Sequence, residues 1–436
     1  MNRNLSYVVF ACLMVRAHLW SLESPMFRGN PAHTGVYETS GIEKLPAVKW
    51  RFKTEGRVYS TPAVVENTAY FGSTDHQFYA IDSQNGTLKW KFKAGSGITS
   101  SPAVEKGSVY FSSYDGDLYA LEAATGKLKW KFETEGERRY AGKHLHGFLP
   151  AAEIMPDPFD FYLSSPVAWN GAVYFGSGDG IIYAVNESTG KLIWRVKSGD
   201  VIHASPAISN GTLFVGSWDT YFYAIDASTG RVKWRFKTGE DPEIHNQTGI
   251  QSSAVISDGI VYFGCRDSNL YALDAETGEK KWTFNNQGSW VIGSPAVAAG
   301  KVYFATSDSA TFYALNAKTG EQIFSLKFKW PMFSSPAIAG NMLYIGSHEG
   351  KLTGIDLTTH RTAWTFETDG FRQNGSAYTK PDGGPNYELA FDDDFYEDVV
   401  IGLRKMQSVG AILSSPVPVL DLVYIGSSDG NLYALR

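Results

Sequence analysis

Apolar and polar positions alternate in short runs along nearly the whole chain, and the runs recur in a fixed order. Each unit reads "SPAV", a turn containing Gly or Asn, "VYFGS", a turn such as "YDG", "LYALD", "ETG", and a run such as "LKWKF". Short runs rich in Val, Tyr, Phe and Trp, bounded by Gly and Asp, predict β-strands joined by hairpin turns. Two anchors count the units. Trp50, Trp90, Trp130, Trp194, Trp234, Trp282 and Trp364, with Phe324 in the same slot, are spaced by 40, 40, 64, 40, 48, 42 and 40 residues. The "SPAV"-like runs begin at Thr61, Ser101, Ser165, Ser205, Ser252, Ser294, Ser335 and Ser415. Four strands per period of about 40 residues predict one blade of a β-propeller. The chain ends at "LYALR", after a third strand, while "AVKWRF" near the N-terminus is a fourth strand without the first three. These ends complete one blade between them, which closes the ring and removes free sheet edges. The expectation is an all-β, eight-bladed propeller over residues 46–436, preceded by an extension over 18–45.

The turns carry their own mechanism. In "DAETGEKKW", Asp274 opens the turn, Gly278 takes a position that tolerates positive φ, and Trp282 follows. Asp and Asn bond their own turn backbone, and Gly avoids the Cβ clash. The same offset joins Asp82 to Trp90, Glu122 to Trp130, Asn186 to Trp194, Asp226 to Trp234, Asn316 to Phe324 and Asp356 to Trp364. These acids are turn builders and the tryptophans pack between blades. The Asp residues of the "xDG" turns, such as Asp115, Asp179 and Asp429, are turn chemistry as well.

This repeat resembles that of the pyrroloquinoline quinone (PQQ)-like propellers, and "MFRGNPAHTGVY" (Met26 to Tyr37) is similar to the segment that often precedes it. The resemblance covers about residues 25–436. It implies the fold, and it spans two kinds of function: quinoprotein dehydrogenases, and non-enzymatic members such as the BamB-type propeller of the outer-membrane assembly machinery. A propeller fold by itself hosts many functions. Two features that the resemblance leads one to expect of the dehydrogenases are missing. There is no adjacent Cys pair, and no C-x-x-C-H haem segment.

Three connections are long: residues 137–163, 239–251 and 369–413. Each follows a Trp strand and precedes an "SPAV" strand, so all three decorate the same face, at the mouth of the axial channel. Loops on a rigid scaffold are where function usually sits. With the short connections beside them they predict a basic, imidazole and aromatic mouth: Arg57, Tyr59, Arg138, Arg139, His144, His146, His203, His245, Trp290, Trp330, Phe333, Arg372, Arg404 and Lys405. Such a mouth suits a planar or carboxylated ligand, because Arg pairs with carboxylates and aromatic rings stack. His144 and His146, with Asp157 or Asp160, are a weak metal pattern. The run "FDDDFYED" (Phe391 to Asp398) lacks the alternation and Gly of a Ca²⁺ loop. It reads instead as a solvated stretch or short helix, and no metal is expected.

Composition narrows the classes. Hydrophobic residues make up 43% and charged residues 19%, and the net charge is −6. A large core is possible, and without a Lys/Arg-rich stripe nucleic-acid binding is excluded. Of the two cysteines, Cys12 lies in the leader, so Cys265 has no partner in the body of the chain. In "MNRNLSYVVFACLMVRA", Arg3, the apolar run from Val8 to Val15 and Ala17 resemble a secretory signal ending at residue 17, too short to span a membrane. The expected protein is a periplasmic or secreted monomer without a lipid anchor. Its mouth binds a protein, peptide or glycan partner without catalysis and without a cofactor. The enzymatic alternative implies a dehydrogenase with PQQ, Ca²⁺ and an external electron acceptor.

Overall fold

The computed structural model describes residues 23–239 and 249–436. The expected leader with Cys12, and residues 240–248 with His245, lie outside the described residues. Each repeat forms a four-stranded antiparallel blade, and eight blades close into a ring. The first blade comprises Ala63–Val65, Thr68–Gly72, Gln77–Asp82 and Leu88–Lys93. The strand Val48–Lys53 pairs with Asn431–Leu435, Trp50 facing Ala434, so the two ends of the chain share the last blade. One anchor shifts. In the fifth blade the innermost strand is Val255–Ser257. Ser253, not Ser252, therefore matches Thr61 of the first blade. Outer strands carry a bulge just before the Trp slot, as where Trp90 faces Ala80 while Leu88 faces Ile81. A bulge twists an exposed edge and blunts it against further pairing.

Tryptophan joins the blades. Trp90 donates from Nε1 to the Ala123 carbonyl of the next blade at 3.0 Å. Trp50, Trp194 and Trp282 make the same bond to Ser83, Ala227 and Ala317. The next blade's turn glycine lies against the ring. Gly278 has φ +75°, and a Cβ there would come within 2.6 Å of Trp234. Asp274 accepts from the Glu276 and Thr277 amides at 3.0 Å, the turn-building role its position predicts. At one interface both partners change. Phe324 replaces Trp and His360 replaces the turn Gly, and their rings stack at 4.2 Å and 13°.

The N-terminal extension winds inside the ring, a placement the repeat did not reveal. Ser24 pairs with Val64 of the first blade, and Pro25 accepts from Val104 of the second. Pro31, Ala32, Thr34 and Gly35 then accept from Ile208, Ile256, Val297 and Ile338 of the fourth to seventh blades. Val36–Tyr37 adds a parallel strand to Ala337–Ala339. Each accepted amide belongs to an innermost strand, so this collar satisfies donors that would otherwise face the channel. Arg28 lies on the collar, fully buried, donating to the carbonyls of Pro295 and Pro336. Burial pulls its pKa down to about 10. The collar also replaces a missing turn: Trp364 Nε1 donates to the Ile42 carbonyl at 2.8 Å.

Candidate functional site

The axis is built by repetition. The Ser or Thr opening each "SPAV" run forms a ring of hydroxyls. The Ser101 amide donates to Ser165 Oγ at 2.9 Å, Ser165 to Ser205 at 2.9 Å, Ser205 to Ser253 at 2.8 Å, and Ser415 closes onto Thr61 at 2.8 Å. Two residues earlier in each repeat stands a second, varied ring that includes Tyr59, His203, Gln251, Phe333 and Leu413. The cavity between these rings is bounded by Phe27 of the collar and Tyr162 of the insertion 137–163, and holds about 40 Å³.

That insertion fills the mouth. Tyr162 Oη donates to the Leu413 carbonyl at 3.0 Å, and Tyr114 Oη to the Phe161 carbonyl at 3.1 Å. Phe161 packs with Tyr59, Trp290, Phe333 and Leu413 in one apolar cluster. Buried charges hold it from beneath. His203 lies between Asp160 at 2.8 Å and Glu137 at 2.9 Å. Burial opposes its charge, but the two carboxylates outweigh burial and push its pKa up to about 10. Asp157 meets His146 at 3.2 Å and Arg266 at 2.5 Å. Burial works against that carboxylate too, but Arg266 and His146 hold its pKa well below the ordinary range. The Arg266 guanidinium lies over both Trp218 and Trp290 at 4.3 Å, and Tyr140 stacks on Trp218 at 4.4 Å. Cations over indole faces are attracted by the ring quadrupole.

The structure does not bring the expected cations to one place. Arg138 pairs outward with Asp200 at 2.8 Å, Arg139 lies over Tyr114, and Lys405 pairs with Asp392 at 3.0 Å. Arg57 is half-buried, while His144, Arg372 and Arg404 are exposed. His203 is enclosed by acids, and His245 lies outside the described residues. The aromatic members do meet: Tyr59, Trp290 and Phe333 share the axial cluster, and His146 approaches Trp290 at 5.1 Å. Asp157 and Asp160 serve as partners of Arg266 and the histidines, and among the described residues no group of three metal-type ligands occurs. In "FDDDFYED" the helix Tyr396–Gln407 begins, with Glu397 and Asp398 in its first turn, where the helix dipole favours acids.

Arg266, Trp218, Tyr114 and His348 escaped the sequence reading, although a signal was present. All four occupy the variable position of the "GSxDG" turn, one per blade: Tyr114, Trp218, Arg266 and His348 stand where other repeats have Thr74, Gly178, Ser307 and Ser428. The flanking position is acidic in every repeat, Asp in seven and Glu349 in the seventh blade, and the Asp ties blades. Asp115 accepts from Tyr119 Oη at 2.8 Å and from the Gly95 amide of the preceding blade at 2.7 Å. A varied residue inside a constant turn is therefore free to serve the mouth.

The insertion 369–413 lies over this floor. It contains the helices Asp369–Tyr378, Tyr387–Ala390 and Tyr396–Gln407. It joins the first insertion through a parallel bridge between Leu149 and Phe395, with the Leu149 amide on the Asp394 carbonyl at 2.9 Å. Trp330 is pinned beneath, Nε1 to the Gly383 carbonyl at 3.1 Å. Between insertions and floor an off-axis recess of about 380 Å³ remains, lined by His146, Phe159, Trp290, Trp330 and His348 among others.

A family model described as outer membrane protein assembly factor BamB matches residues 46–153, 161–285 and 266–436. The chain belongs to that family. Solved propellers of both functional kinds are similar to it. BamB from Moraxella catarrhalis has 15% identity, covers 90% of this chain and 100% of its own, and has a TM-score of 0.66. A europium-containing methanol dehydrogenase has 13% identity, covering 95% and 98%, at 0.69. The quinohemoprotein alcohol dehydrogenase of Comamonas testosteroni has 15%, covering 95% and 80%, at 0.68. At these identities the likeness shows the PQQ-like eight-bladed fold. No curated protein matches the sequence.

The residues present do not fit a quinone. A planar cofactor bearing carboxylates needs a flat slot and cationic partners. The axial cavity of about 40 Å³ has room for only a few waters, far below the roughly 300 Å³ at which small-molecule sites begin. Among the described residues no Arg or Lys lines it or the larger recess.

Proposed function

We propose that this chain is a non-catalytic binding scaffold that holds a protein partner on its insertion-bearing face. The carrying observation is the surface made by the two bridged insertions. Leu149, Ile154, Tyr387, Leu389, Phe395 and Ile401 are all exposed there. Single exposed apolar residues are ordinary, but a concentration on one built surface marks an interaction site. Membership of the BamB family supports the reading, and a part in outer-membrane protein assembly is its narrower form. Work outside the cytoplasm goes with it: the N-terminal seventeen residues support export, and no described helix is long and apolar enough to cross a membrane. The dehydrogenase alternative is disfavoured by the filled axis. Photo-crosslinkers placed at Phe395 and Leu389 test the proposal in cells of the source organism, with Leu88 on an outer strand as control. A discrete protein adduct from the insertion sites alone is expected. Adducts only from position 88, or a glycan captured in place of a protein, would overturn it.

A further inference from the structure

The recess beneath the joined insertions has a chemistry of its own. Its walls are aromatic and come from three parts of the chain: Phe148 and Phe159, Phe391, and the propeller's Trp290, Trp330 and Phe333. Three of its lining residues carry a buried polar atom with no hydrogen-bond partner among the described residues: Trp290 Nε1, His348 Nε2 and Gln407 Nε2. An unmet buried donor carries the full cost of its lost hydration, and folded proteins keep few of them. All three belong to residues that line one recess, which is polar capacity the fold itself leaves unused.

The surroundings narrow what pairs with it. Gln407 Oε1 is engaged by Tyr59 Oη at 2.8 Å, so the amide's remaining capacity is donation. Trp290 Nε1 is a donor only. The His348 ring is held by Phe333, centroids 4.2 Å apart, and burial pushes its pKa down to about 3, leaving a neutral imidazole. Asp308 and Asp394 border the recess, and among the described residues no Arg or Lys does. A negative charge finds no partner there. A volume of about 380 Å³ lies in the range of small-molecule sites, roughly 300–1,000 Å³.

We infer that this recess is a binding site for a planar aromatic small molecule, uncharged or cationic, whose acceptor oxygens meet the Trp290 and Gln407 donors. Its rings would stack among Trp290, Trp330 and the phenylalanines. The recess lies beneath the exposed partner surface, with Tyr387 common to both, and the inference does not rest on a bound partner.

Isothermal titration calorimetry with coumarin, a neutral planar bicycle with acceptor oxygens, tests this on the full chain. Saturable one-to-one binding is expected. Naphthalene, which lacks acceptors, and coumarin-3-carboxylate, which is anionic at pH 7, should each bind at least tenfold more weakly. Trp290→Phe keeps the ring, removes the donor, and should weaken coumarin about tenfold. Leu403→Trp, which fills the recess from its helical wall, should abolish binding. Thermal melts confirm that both variants fold. No saturable heat with coumarin overturns the assignment. So does equal binding of coumarin and naphthalene with Trp290→Phe silent, which is the mark of an adventitious apolar contact only.

Discussion

His203 shows how a single residue acquires its role from what surrounds it. Enclosed by Asp160 and Glu137, its pKa rises to about 10 from an ordinary value near 6.5. A group whose folded pKa exceeds its unfolded pKa stabilises the fold fully below the unfolded value, and that contribution is lost as pH rises through the folded one. Stability should therefore fall between about pH 6.5 and 10, and His203→Gln should flatten that limb while lowering stability near pH 6 by about 3–5 kcal/mol. Urea denaturation across this range checks it, and an unchanged slope in the variant contradicts it. Sequence alone placed His203 on the mouth side but not its charge state. Its partners come from an insertion with no repeat to register it. Turn acids such as Asp274 and the Trp slots were legible because their roles recur at fixed offsets, whereas Arg138 or Arg404 could not be placed without knowing where each loop turns.

At the scale of elements, the Trp strand and the next blade's turn behave as one unit. At six interfaces the ring lies against a turn glycine of the next blade, and at the seventh Phe324 and His360 have changed together. Phe324→Trp alone crowds His360 and should destabilise by about 1–3 kcal/mol. The double variant Phe324→Trp, His360→Gly rebuilds the common interface and should recover most of the loss. Additive effects in this double-mutant cycle would show that the two positions are uncoupled. The collar is a second element-scale device. Its path was invisible in the sequence because its bonds to the inner strands are main-chain carbonyls, which leave no side-chain signature. Hydrogen exchange should show protected amides at Val104, Ile208, Ile256, Val297 and Ile338, with protection lost selectively in a chain lacking residues 1–43. Unchanged protection there would mean that the collar does not cover them.

For the whole molecule, repetition makes the ring and the irregularities make the function. The eight blades, their closure through Val48–Lys53 and the hydroxyl ring follow from the period and were readable in advance. The channel's contents were not, because Phe161 and Tyr162 come from a long insertion, 137–163, that turns inward. The result is a propeller whose axis is filled by its own side chains, leaving about 40 Å³ between Phe27 and Tyr162, and whose proposed working surface lies on and beneath two bridged insertions. Native mass spectrometry of the purified chain, before and after incubation with PQQ and Ca²⁺, tests this most directly. The account predicts an unchanged mass. A one-to-one gain matching quinone and Ca²⁺ would contradict it and turn attention to dehydrogenase substrates.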